Sequence, residues 1–172
     1  MDSDTQFQQE FVTNACYRMD ESLRMIKICL DKLPQEAIWK KPNESTNSIG
    51  NLILHLCGNI TQYGIVSLQG LEDNRDRDAE FATLSGYSKE ELFQKLEETV
   101  QMAKKGYAEA NTDELLKKRS VQGFEFSGIG NIVHVVEHFS YHTGQIALWT
   151  KLLNNADLGF YDGINLNTKN EN

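Results

Sequence analysis

Three histidines spaced four residues apart in an apolar stretch near the end of the chain constrain its fold more than any other feature. They are His134, His138 and His142, in the segment 131–146. A helix turns about 100° per residue, so residues four apart lie on nearly the same side of it. The segment therefore predicts a helix that carries a stripe of imidazoles while its apolar residues pack, and such a stripe needs a physical reason.

A second polar seam lies on an earlier apolar segment, which holds the remaining histidine, His55. On a helical wheel, His55 shares one narrow sector with four other polar residues, and apolar residues pack beside that sector. If the two seams face each other, three imidazole nitrogens can converge on one ion, which is the hypothesis that the pattern favours. The other residues in the sector of His55 are Ser48, Asn51, Asn59 and Gln62.

Hydrophobic spacing predicts an all-α chain with four long helices. Apolar residues recur at steps of three and four, Pro34 stops the first helix, and Gly70 follows the second. Ser88 and Glu91 form a capping box at the start of the third helix, because each side chain satisfies a free backbone N–H group of the other residue. The predicted helices span residues from about 5 to 33, 48 to 69, 88 to 107 and 128 to 153.

The predicted connections differ in length. Residues 71–86 are rich in charged side chains without an apolar period, so they predict a long connection that lets the second and third helices run parallel. Arg75 and Arg77 can fold over the mouth of a site between the seams, but solvated charges paired with Asp76 and Asp78 are the favoured interpretation. The remaining segments predict a short helical turn at 111–118 and an extended strand at 120–127.

Length and composition predict a single domain at residues 1–158 and a polar tail at 159–172. A net charge of −8 at pH 7 argues against a nucleic-acid groove, which needs clustered Lys and Arg. No apolar run approaches the length of a membrane span, and the first residues lack the regions of a signal peptide. Three cysteines, an odd number within helical patterns, favour reduced thiols in a cytoplasmic protein.

Imidazoles at this spacing are suited to a divalent metal ion. An i, i+4 pair of histidines on a helix can put two nitrogens on one ion, and imidazole binds zinc, nickel, copper and iron(II) well. Three protein ligands leave coordination positions open, which is typical of catalytic sites, where the ion activates water or polarises a substrate. The alternative is a hydrogen-bonded core of histidines without metal.

Three polar residues beside the histidines of the fourth helix are candidates for the chemistry. Gln145 shares the sector of the histidines, and Tyr141 and Glu137 flank it. Each of them can take part in the reaction or simply hold a histidine in one tautomer. The chain lacks the HExxH, GxSxG, Walker and dinucleotide-binding motifs, and it lacks the Glu-x-x-His spacing of di-iron carboxylate bundles.

Two asparagines stand at helical spacing from the histidines. Asn51 precedes His55 by four residues, and Asn131 precedes His138 by seven, so each lies near the face of its histidine. We predict that each asparagine orients an imidazole as a hydrogen-bond partner behind the metal ligands. Helix capping and polar contacts between helices explain these residues about equally well.

The run from His134 to Ile146 resembles the signature of the DinB-like (YfiT-type) superfamily, in which a fourth helix carries H-x-x-x-H followed closely by G-Q-I. The four predicted helices, the long second connection and His55 extend the resemblance over most of the chain. It implies a four-helix bundle of up-down-down-up order that holds one divalent ion, zinc or nickel, through His55, His138 and His142. His134 matches a less regular position, so it is assigned to the surroundings of the ligands or to the core.

The resemblance implies two classes of function. The first is a metal-dependent enzyme acting on a small-molecule substrate, either an S-transferase that uses a low-molecular-weight thiol as co-substrate or a hydrolase. The second is a non-catalytic metal- or ligand-binding protein of the damage-inducible stress type. Apolar residues on more than one side of the first and fourth helices, together with the habit of the family, favour a homodimer.

Overall fold

The computed structural model describes residues 3–170, and most of them are helical. Residues 1, 2, 171 and 172 lie outside the described residues. The first two belong to the predicted domain at 1–158, and the last two belong to the predicted tail at 159–172. Within residues 3–170, no helix is long and apolar enough to cross a membrane. In chain order the helices are α1 (Ser3–Asp31), α2 (Ile49–Asn59), α3 (Ser67–Gln69), α4 (Arg77–Ala82), α5 (Lys89–Glu109), α6 (Thr112–Leu116) and α7 (Gly128–Asn154).

Four long helical segments match the four predicted helices to within a few residues. The second one is not α-helical throughout, because a π-helix (Ile60–Val66) continues α2 and leads directly into α3. Gly70 ends this segment in the left-handed conformation, with a φ of +68°, which a residue with a Cβ atom rarely adopts. A wide π turn within an α-helix shifts the side chains that follow it around the helix axis.

Side-chain caps start the second and third long helices where the sequence predicts. At α5, the Glu91 amide donates to Ser88 Oγ over 3.1 Å, and the Ser88 amide donates to Glu91 Oε2 over 2.7 Å, so the predicted capping box is confirmed. At α2, the same exchange joins Ser48 and Asn51, over 3.1 and 3.2 Å. Each pair satisfies two backbone donors that a helix N-terminus leaves free.

The connections contain more regular structure than the sequence predicts. The segment 71–86 forms the short helix α4, which Asp76 caps by accepting from the Ala79 amide over 3.0 Å. The predicted extended segment is a hairpin of β1 (Lys118–Val121) and β2 (Phe124–Ser127), paired antiparallel. Gln122 and Gly123 join the two strands with positive φ values of 51° and 82°, as a tight hairpin turn requires.

The packing of α2 against α7 determines where the histidines meet. α1 packs against α5 and α7, and α2 packs against the same two helices. The side chains between them form one apolar core, whose largest fully buried members include Met19, Leu56, Tyr63, Tyr107 and Phe139. Because α2 and α7 lie side by side, the seam of His55 faces the seam of the other histidines.

Candidate metal centre

The polar seams of α2 and α7 bring three histidines together. His55 Nε2 lies 2.9 Å from His138 Nε2, and one ligand nitrogen of each of His55, His138 and His142 lies within 4.8 Å of the others. His55 and His142 are buried, and His138 is partly exposed. The three residues predicted as ligands therefore form one cluster between two helices.

Hydrogen bonds to the outer nitrogens indicate which nitrogen of each ring is free. Gln145 Oε1 lies 2.7 Å from His142 Nδ1, and Glu80 Oε2 lies 2.9 Å from His55 Nδ1. Amide and carboxylate oxygens accept hydrogen bonds, so Nδ1 of His142 carries a proton and its Nε2 keeps a lone pair. His55 Nδ1 has two neighbours of opposite kind, because Arg75 Nη2, a donor, lies 3.1 Å away. The closer carboxylate oxygen of Glu80 favours a proton on His55 Nδ1. With that tautomer, His138 Nε2 donates to His55 Nε2 over 2.9 Å.

The connection between α3 and α5 contributes an ion pair that the sequence interpretation missed. Arg75 donates to Glu80 Oε1 over 2.7 Å and to Oε2 over 2.9 Å, and both side chains are 10% exposed or less. The interpretation of Arg75 as a solvated charge paired with Asp76 or Asp78 is therefore wrong. The physical reason is that the two side chains are buried together against α2, and nothing in the sequence distinguishes Glu80 from the other carboxylates of this segment.

Two aromatic rings lie next to histidine rings of the cluster. The Phe81 ring lies 4.8 Å from the His55 ring, and the Tyr141 ring lies 5.0 Å from the His142 ring. The exposed guanidinium of Arg77 lies 4.9 Å over the Phe81 ring, a cation–π contact. Arg77 is thus exposed, as the favoured interpretation of a solvated charge predicts, and its guanidinium lies over the Phe81 ring beside His55.

His134 lies next to the cluster but is engaged elsewhere. Its Nε2 accepts from Asn59 Nδ2 over 3.1 Å, and its ring lies 4.1 Å from the ring of Tyr63 and 5.4 Å from the ring of His138. The stacked rings keep the imidazole of His134 beside His138. This geometry agrees with a supporting position rather than a place among the three converging nitrogens.

The other predicted site residues are distributed differently. Asn51 Nδ2 donates to the carbonyl oxygens of Glu80 and Thr83, over 3.0 and 2.7 Å, so it holds the connection that carries Glu80. Asn131 Nδ2 donates to Ser67 Oγ over 2.7 Å and thus binds α7 to α3. Glu137 is exposed and lines a groove between α1 and α7, on another side of α7 from the cluster.

Burial lowers the pKa values of the three histidines on α7. Burial, and then the neighbouring His142 and His55, lower the pKa of His138 to about 3. Burial also lowers the pKa values of His142 and His134. Burial alone would raise the pKa of Glu80, but hydrogen bonds from Arg75 and His55 outweigh it and bring the pKa below its ordinary value. The lowered pKa values favour neutral nitrogen donors at His138 and His142 and an ionised carboxylate at Glu80.

Lowering the pH from 7 to 5 is expected to lower the free energy of unfolding of the metal-free protein. Between its ordinary pKa and its folded pKa of about 3, His138 binds a proton in the unfolded chain but not in the folded protein. Each such proton costs at most about 1.4 kcal/mol per pH unit. Urea unfolding with a chelator at both pH values measures the loss, and the variant His138→Gln is expected to lose less. An equal loss of unfolding free energy in the wild type and in His138→Gln would show that His138 is not the group that takes up the proton on unfolding.

The donor set fits a zinc or nickel ion. Zinc binds imidazole nitrogen at about 2.0–2.1 Å in a tetrahedron, so ligand nitrogens lie about 3.3 Å apart. The Nε2 atoms of His55 and His138 are 2.9 Å apart, which small side-chain rotations bring to that distance. Three protein ligands leave one coordination position open on a four-coordinate ion.

Comparisons with known proteins agree with this fold. A family model described as "Protein of unknown function (DUF1572)" matches residues 6–161. A DinB-like protein from Bacillus subtilis has a crystal structure with a TM-score of 0.64 and 14% identity, covering 88% of this chain and 96% of its own. A DinB-like protein from Bacillus cereus has a TM-score of 0.66 and 15% identity, covering 84% and 91%. A conserved protein from Enterococcus faecalis has a TM-score of 0.64 and 16% identity, covering 91% and 99%. No curated protein matches the chain significantly.

Proposed function

We propose, from the premise that this chain belongs to the DUF1572 family and has the DinB-like fold, that it is a metal-dependent enzyme. His55, His138 and His142 are proposed to hold one zinc or nickel ion. The observation that carries the proposal is the convergence of their three ring nitrogens within 4.8 Å of one another. The likeness to the DinB-like superfamily, stated first from the histidine motif, is confirmed, while the activity is our proposal.

The residues around the cluster have different roles in the proposed site. A divalent ion with three neutral ligands lowers the pKa of a thiol or water molecule at its open position. Gln145 accepts from Nδ1 of His142 and keeps this ring in the tautomer that presents Nε2 to the ion. The rings of Phe81 and Tyr141 lie 4.8 and 5.0 Å from those of His55 and His142, so Tyr141 is a proton-bearing side chain next to the proposed ligands.

We propose thiol S-transfer as the first reaction to test and hydrolysis as the second. The metal content of protein purified without a polyhistidine tag tests the site itself. The metal-loaded protein is then expected to transfer bacillithiol, glutathione or coenzyme A to monochlorobimane at least about tenfold faster than the variant His142→Ala, a barrier difference of about 1.4 kcal/mol. Equal rates with every thiol, and equal rates on generic ester and amide substrates, would contradict an enzyme.

A non-catalytic metal- or ligand-binding protein of the stress type is the second proposal, and one observation favours it. The carboxylate in contact with the cluster, Glu80, lies behind His55 at Nδ1 and not at the open side, so it is not placed to act as a general base there. Arg75, the basic side chain in contact with Glu80, donates hydrogen bonds to Glu80 and Gln62. Metal binding without either activity would support this second function.

We further propose that the four long helices form a four-helix bundle in up-down-down-up order. Side-chain contacts between neighbouring helices support these directions. Asp20 of α1 lies near Lys104 of α5, and Gln8 lies near Ala110, so residue numbers run in opposite directions along this pair. His55 and Asn59 of α2 contact His138 and His134 of α7 in the same antiparallel sense. The predicted homodimer stays a prediction, which light scattering of the metal-loaded protein would test.

A further inference from the structure

The connection between α3 and α5 places one carboxylate within hydrogen-bond distance of a predicted metal ligand. Glu80 Oε2 lies 2.9 Å from His55 Nδ1, and the Glu80 side chain is 10% exposed. The other nitrogen of the same ring, Nε2, faces His138. Because the two nitrogens point to different sides of the ring, Glu80 cannot reach an ion bound to Nε2 while it accepts from Nδ1.

We propose that Glu80 is a positioning residue that holds His55 in the Nδ1–H tautomer and thereby raises the affinity of the three histidines for a divalent ion. The inference rests on the metal site proposed above. A carboxylate that accepts from the outer nitrogen of an imidazole fixes the orientation of the ring and makes the inner nitrogen more basic. Loss of such a partner typically weakens metal binding 10- to 100-fold.

The surroundings of Glu80 give its carboxylate one orientation. Arg75 donates to both of its oxygens and, through Nη1, to Gln62 Oε1 over 2.8 Å. Gln62 in turn donates to Asp73 Oδ2 over 2.6 Å. These bonds extend from the histidine through four further side chains, so the carboxylate is constrained on the side away from His55 as well. A buried, doubly bonded carboxylate is better suited to orient a ring than an exposed one.

The connection between α3 and α5 packs against one face of α2 and of the π-helix that follows it. Asn51, His55, Gly58 and Gln62 recur at steps of three and four, and three of them contact the connection by hydrogen bonds. A Cβ atom on Gly58 would overlap Glu80 Oε1 and lie 2.8 Å from Arg75 Nε. The absence of a side chain at position 58 therefore lets the ion pair approach His55 closely, and this is an observation independent of the hydrogen bonds.

The test compares the affinities of three variants for zinc and nickel by competition with a chelator of known affinity. Glu80→Gln keeps the shape of the side chain but removes its charge, and it is expected to weaken binding at least about tenfold. Gly58→Ala keeps the carboxylate but displaces it, and it is expected to weaken binding in the same direction. The matched control is Glu72→Gln, an exposed carboxylate in the same connection, which is expected to stay within about twofold of the wild type.

A second measurement separates positioning from a general effect on the fold. The nitrogen chemical shifts of His55 in the metal-free protein report its tautomer, and we expect Nδ1–H in the wild type and a mixture of tautomers in Glu80→Gln. If the wild type binds metal and Glu80→Gln binds it equally well, the inference is overturned while the metal site stands. If the wild type binds no metal, the proposed function fails, and an unchanged tautomer in Glu80→Gln would overturn the inference on its own.

Discussion

Replacing His138 with alanine is expected to lower the affinity for zinc or nickel more than about 100-fold, beyond the effect of losing a partner of a ligand. His138 Nε2 lies 2.9 Å from His55 Nε2, at the centre of the cluster. Without it, two histidines on different helices remain, and neither helix retains an i, i+4 pair within the cluster. The variant His142→Ala is expected to show a loss of the same order for the same reason.

The variant His134→Ala provides the matched control, because His134 belongs to the same helical stripe. Its Nε2 accepts from Asn59, so we expect a loss below about tenfold, as for residues that support a ligand. Metal content after dialysis and competition titrations measure all three variants. Equal losses at the three positions would place His134 among the ligands and would contradict the assignment of its nitrogen to Asn59.

Replacing Phe139 with alanine is expected to lower the free energy of unfolding by about 3–5 kcal/mol. Phe139 follows His138 on α7, but its ring faces the core and is fully buried, with 0% exposure. The substitution removes a large apolar surface and leaves a cavity that the packed helices can fill only in part. Urea unfolding in the presence of a chelator measures this loss separately from any contribution of bound metal.

The control for this substitution is Val133→Ala, on the same helix. Val133 is 50% exposed, so its truncation is expected to change the free energy of unfolding by no more than about 0.5 kcal/mol. A loss below about 1 kcal/mol for Phe139→Ala would mean that the inner face of α7 is not packed as described. Circular dichroism before unfolding shows whether each variant retains its helices.

Local patterns were sufficient to predict the helices and the two polar seams, and the resemblance to the DinB-like superfamily selected the three histidines that converge. The steps of three and four between apolar residues and the caps at Ser48 and Ser88 act within a few residues of the chain, so they can be read without knowledge of the fold. The stripe of His134, His138 and His142 likewise follows from helical geometry alone. The cluster of His55, His138 and His142 confirms that the two seams face each other. They were expected to do so because both lie on apolar helices, which pack against each other.

Only the tertiary structure decided what stands behind the ligands. Glu80 and His55 are 25 residues apart in sequence, and their contact depends on how a charged segment without an apolar period lies against α2. Helical spacing could not indicate this arrangement, so Arg75 was assigned to solvent, whereas it is buried with Glu80. For Asn51 the spacing left an imidazole partner and helix capping both open, and the structure places it in the helix cap and on the connection. The sequence by itself determined which side chains share a helix face, because that depends on local geometry. The tertiary structure decided which of several similar carboxylates is buried beside a ligand, because burial depends on contacts between segments distant in the chain.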